Sequence, residues 1–128
     1  ARARTTYAFR SLAAAGAGPA FGSDWTVAPL DPLLGVYAAV TRRTLDGAHP
    51  EGWIPDQKLT VDQALTAYTR DAARAGFNDD RVGALKPGML ADIVVLDRSP
   101  FDVEPERIKD LYVEMTIVGG EPVFERGG

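Results

Sequence analysis

With 128 residues, 45% hydrophobic and 25% charged, the chain has the length and composition of one ordinary globular domain able to bury a core. Its 14 basic and 18 acidic residues are interspersed and leave a net charge of −4, so neither a nucleic acid nor a membrane is expected as partner; both would want a basic stripe. The absence of cysteine excludes disulfides, zinc thiolates and thiol nucleophiles.

No run approaches the roughly 18 apolar residues that span a bilayer. Ala1 to Thr6 carries no apolar signal core either, and a cytoplasmic location is the expectation.

Within residues 4–15, Ala8, Phe9, Leu12 and Ala13 recur at helical spacing, with Gly16 where a C-terminal cap belongs. The apolar stretch Ala17 to Phe21 then ends abruptly at Gly22-Ser23-Asp24. Its shortness and flanking glycines predict a buried strand, against which Pro19 counts because it cannot donate to a ladder. Helix, turn, short strand and polar terminus together form the α-to-β step of a βα-repeat fold.

Asp31-Pro32 reads as an N-cap followed by proline at the first helical position. Leu33, Val36, Tyr37 and Val40 share one face of the helix it starts, which is expected to end near Leu45-Asp46-Gly47. A Gly- and Pro-bearing loop follows to Lys58. Thr60-Val61-Asp62-Gln63 fits a capping box, with the Gln63 side chain reaching back to the Thr60 N–H. Behind it Val61, Ala64, Leu65, Tyr68, Ala72 and Ala75 define one helix, ended by Gly76.

After Phe77 the pattern becomes β-rich. Ile93-Val94-Val95-Leu96 is a run with apolar residues on both faces, and a single helical turn is expected at Pro105 to Asp110. Tyr112 to Val118 and Glu121 to Glu125 flank Gly119-Gly120, a two-residue hairpin signal.

Few residues carry recognisable chemistry. His49 is the one histidine and sits in a loop, where an exposed surface role is the ordinary outcome. There is no nucleophile elbow, and Gly16-Ala17-Gly18 leads into a strand where a phosphate loop would lead into a helix. Asn78-Asp79-Asp80 lacks the spacing of a calcium loop. Asp24 remains. A carboxylate at the C-terminal end of a buried strand is where βα-barrel enzymes place catalytic groups, while Ser-Asp after a strand is equally an ordinary turn.

The run Ala20-Phe21-Gly22-Ser23-Asp24-Trp25-Thr26-Val27 resembles the strand-eight signature of the amidohydrolase superfamily, in the branch of metal-dependent hydrolases with a TIM-barrel fold. Leu59 to Thr69 is similar to that family's last barrel helix, and Gly83 to Asp97 to its return into a small β-sandwich. Thr116 to Phe124 is similar to its closing strands, with the pattern T-x-V-G-G-x-x-V-F. Thr26 stands where the family often carries proline.

The resemblance covers nearly the whole chain but only the C-terminal portion of the family. It implies an α/β fold: the last βα units of a TIM-type barrel over residues 1–76, followed over residues 77–128 by part of a β-sandwich. Such a chain is incomplete in isolation. The implied activity is hydrolysis of a C–N bond in a small-molecule amide or cyclic amide, by water activated on a divalent metal, zinc being the expectation. Asp24 takes the place of the family's metal ligand and proton shuttle. The family's histidine ligands belong to earlier strands, so this chain alone is expected to bind no metal and to be inactive. A homo-oligomer or a complementary chain is the expected association. The competing expectation is a non-catalytic helical and β-sandwich module acting in assembly.

Overall fold

The computed structural model describes residues 5–127, with helices first and a sheet last. Helix α1 (Phe9–Ala14) is shorter than the periodicity over residues 4–15 predicts. Tyr7 takes a left-handed φ of 50°, which no helix continues through, and Ala8 offers no capping side chain. Gly16, at φ 84°, follows the last turn as expected of a C-terminal glycine.

Helix α2 (Pro32–Thr41) begins as the sequence predicts, with the Asp31 carboxylate accepting the Leu33 N–H at 2.9 Å. It ends at Thr41, ahead of the expected Leu45 to Gly47. Arg42 turns left-handed at φ 59°, and its carbonyl accepts the Trp53 N–H at 2.7 Å, so the chain is drawn sideways into the loop.

The single helix expected over Val61 to Ala75 is two, α3 (Val61–Tyr68) and α4 (Arg70–Ala75). The capping box is present in both halves: Gln63 N–H donates to the Thr60 hydroxyl at 3.1 Å, and Thr60 N–H donates to the Gln63 side-chain Oε1 at 3.0 Å. The break falls at Thr69, whose backbone leaves helical space at φ −115°, ψ −88°. Its hydroxyl donates to the Leu65 carbonyl at 2.8 Å, the back-bonding that bends helices at threonine.

Ala17 to Phe21, predicted to be a buried strand, joins no ladder. Ala17, Gly18 and Ala20 are exposed, and the backbone is held where the Phe21 N–H donates to the Ala67 carbonyl at 3.0 Å. Among the described residues no strand lies alongside to pair with it. Pro19 has no N–H to offer, and a strand stripped of partners stays an irregular segment against a helix.

The sheet has the order β1 (Ile93–Leu96), β2 (Val113–Val118), β3 (Glu121–Glu125), antiparallel throughout. Gly119 and Gly120, at φ 58° and 90°, supply the two positive values that the tight β2–β3 turn demands. Two aspartates bracket β1. Asp92 accepts the Gly119 N–H at 2.7 Å, and Asp97 accepts the Tyr112 N–H at 2.9 Å. The apolar residues expected on both faces of β1 include Val94 and Val95, which are 56% and 42% exposed because no second layer covers them among the described residues.

The core centres on α2, where Leu33, Val36, Tyr37 and Val40 are buried as predicted. The expected helical turn at Pro105–Asp110 is a 3-10 helix that drives Ile108, fully buried, and Leu111 into the same cluster with Leu59 and Ala64. Arg43 and Glu106 tie that turn to the end of α2 at 3.0 Å. The described chain is thus a small α/β unit in which one 3-10 turn anchors the sheet end to the helices.

Candidate active-site segment

Asp24 sits at the end of the segment leading from α1, and its placement is set upstream by Phe21. The Phe21 ring meets Phe9 of α1 edge-on at 4.9 Å between centroids and Tyr68 of α3 at 5.5 Å, while its N–H is taken by Ala67. Burial pushes the Tyr68 hydroxyl above its usual pKa. Past Gly22 the chain turns at once: Asp24 has φ 51°, a conformation aspartate tolerates better than most residues, and its carbonyl accepts the Val27 N–H at 2.7 Å. The Asp24 side chain is exposed, and Trp25 beside it is 66% exposed.

The other residues weighed from sequence lie elsewhere in role. Tyr37 of α2 is core at 4% exposure. His49 lies exposed in the loop, offering its carbonyl to the Gly52 N–H. Asn78, Asp79 and Asp80 are an exposed turn.

Among the described residues no three His, Cys, Asp or Glu side chains gather at metal-binding spacing. A catalytic zinc takes about three protein ligands. The described residues therefore do not make up such a site by themselves, and Asp24 contributes one carboxylate. Two cavities flank the segment, of about 360 Å³ near Gly18 and Asp71 and about 200 Å³ between Phe21, Gly35 and Arg42; Asp24 lines neither.

Sequence inspection missed the cluster around Arg42. The guanidinium donates from Nε to the Trp53 carbonyl at 3.1 Å and from Nη1 to the Tyr7 carbonyl at 3.2 Å. It lies 5.2 Å from the Trp53 ring and 5.6 Å from that of Phe9. Burial lowers its pKa from the usual value. A tryptophan in a Gly/Pro loop after a helix-ending arginine was the available signal, but nothing periodic pairs residues 11 apart across a loop.

The sequence matches the amidohydrolase family over residues 1–124. It is 39% identical over 123 residues to Protein LONG AFTER FAR-RED 3 of Arabidopsis thaliana, an alignment covering 94% of this chain and 20% of that protein. It is 34% identical over 119 residues to the N-substituted formamide deformylase of Arthrobacter pascens, covering 93% of this chain and 21% of the enzyme. Among solved structures, an uncharacterized metal-dependent hydrolase from Pyrococcus horikoshii superposes with a TM-score of 0.68 at 34% identity, over 81% of this chain and 21% of that one. The chain spans about a fifth of the length of these relatives. A match running through the Asp24 segment, the α3 helix and the terminal hairpin alike shows that the chain belongs to the amidohydrolase family.

Proposed function

We propose that the chain is the C-terminal portion of a metal-dependent amidohydrolase that hydrolyses a non-peptide C–N bond in a small amide or cyclic amide, and that Asp24 is its contribution to the site. The observation that carries this reading is an exposed carboxylate at the abrupt end of an apolar segment, within a family match over residues 1–124. The deformylase relative, whose name places it on an N-substituted formamide, supports the bond type. The Pyrococcus relative, a metal-dependent hydrolase by name, supports a divalent ion, for which zinc is the proposed identity.

In this reading residues 1–76 close a βα barrel and residues 77–128 form part of a β-sandwich, in a cytoplasmic enzyme. The Asp24 carboxylate would accept a proton from the attacking water, the task of a general base on the open face of a site. The remaining donors come from outside this chain, from the rest of the protein, a second copy or a complementary chain. Trp25, Val27 and Leu30, at 66%, 83% and 65% exposure, offer apolar surface for that association.

The test is a hybrid in which this chain replaces the matching fifth of the Arthrobacter deformylase. Hydrolysis of an N-substituted formamide by the hybrid, falling by about 10²–10⁴-fold on Asp24→Asn with the fold retained, is the expected result. Equal turnover by the two hybrids would overturn the role of Asp24.

A further inference from the structure

The backbone that carries Asp24 is braced from a distant helix. Gly35 lies in the middle of α2, and a Cβ built there would stand 1.7 Å from the Tyr68 hydroxyl oxygen and 2.7 Å from its Cζ. Any side chain larger than hydrogen would force that ring to move. Tyr68 is the last residue of α3, immediately before the break at Thr69, and its ring edge supports Phe21 at 5.5 Å. Phe21 is also fixed by its N–H to the preceding residue of the same helix, Ala67. Only Gly22 and Ser23 separate Phe21 from Asp24.

From these contacts we propose that Gly35 and Tyr68 are positioning residues for Asp24: the glycine notch in α2 sets the depth of the tyrosine ring, the ring sets Phe21, and Phe21 sets the height at which the Asp24 carboxylate leaves the surface. The significance of that height rests on the proposed role of Asp24, but the linkage does not. Among the described residues no hydrogen bond joins Tyr68 to Asp24, and the contacts of Tyr68 with this segment run through Phe21. The cavity of about 200 Å³ beside Phe21, Gly35 and Tyr68 gives the rings space to shift when the notch is filled.

The test reads the backbone amides of Gly22, Ser23 and Asp24, and the Asp24 carboxyl carbon, by NMR on the chain itself. Tyr68→Leu, which keeps an apolar side chain but removes the ring, is expected to move these signals while those of the hairpin over Val113–Val118 and Glu121–Glu125 stay in place. Gly35→Ala is expected to move the same signals in the native background and to add nothing in the Tyr68→Leu background, the signature of coupled residues. Undisturbed Gly22 to Asp24 signals in Tyr68→Leu overturn the proposal, and that variant alone decides it should Gly35→Ala fail to fold. An equal Gly35→Ala effect in both backgrounds overturns it as well. Because no hydrolysis is measured, a negative result here stands apart from a failure of Asp24→Asn in the hybrid enzyme.

Discussion

At the scale of single residues, Arg42 does several jobs with one side chain. Its left-handed backbone ends α2, its carbonyl takes Trp53, and its guanidinium ties Tyr7, Phe9 and Trp53 together. Arg42→Met keeps the aliphatic stem but removes two charged hydrogen bonds. The expected cost is about 1.5–3 kcal/mol in urea unfolding, with tryptophan emission shifting toward that of exposed indole as Trp53 loses its cover. Ile108 is the opposite kind of residue, fully buried and purely apolar. Ile108→Ala should cost about 2–5 kcal/mol in the same measurement, because the hole it leaves lies where the 3-10 turn meets α2. An Ile108→Ala variant as stable as the native chain would show that the sheet end does not depend on this anchor.

At the scale of elements, caps and turns behave as local sequence dictates. Thr60→Ala removes the hydroxyl that accepts the Gln63 N–H and should lower stability by about 0.5–2 kcal/mol, read from the loss of helical circular dichroism on heating. The sheet carries a pH dependence of its own. The Tyr112 N–H, and after it the neighbouring Arg98, hold the Asp97 carboxyl below its ordinary value of 3.8. The unfolded chain therefore takes up this proton before the folded one does. The contribution of Asp97 is complete above the ordinary carboxylate range and is lost as pH falls through and below it. Acid titration followed by the Tyr112 amide should show that loss, and Asp97→Asn should remove the dependence at this position.

Elements were also where sequence and structure parted. Asp31, Thr60, Gly76 and the Gly119-Gly120 pair mark real boundaries, because each acts through atoms within a few residues. The break at Thr69 leaves no trace in the apolar periodicity of residues 61–75, since the threonine hydroxyl acts on the backbone without disturbing which face is apolar.

At the scale of the whole molecule the dominant fact is uncovered apolar surface. Phe77 is 92% exposed, Val27 83% and Leu85 74%, and every residue of β3 is exposed along one edge of the sheet. Glu121, Pro122 and Glu125 blunt that edge, whereas β1 presents only Ile, Val and Leu at the other. The association proposed above predicts a sedimentation coefficient that rises with protein concentration. A compact monomer melting cooperatively at all concentrations would count against it.

The sequence by itself determined the family, the caps, the hairpin and the apolar face of α2, and it singled out Asp24. Each is written in residues adjacent along the chain or in a period of a few residues. Only the tertiary structure decided that Ala17 to Phe21 is no strand, since pairing depends on neighbours that a local apolar run cannot supply. It alone brought Gly35 against Tyr68 and Arg42 over Trp53, because a missing Cβ or a cation has meaning only once a distant ring is packed against it. Asp24 joins the two levels: the motif that holds it is legible in the sequence, while the proposed setting of its height rests on rings from α1, α3 and the segment between α1 and α2, together with the Gly35 notch of α2.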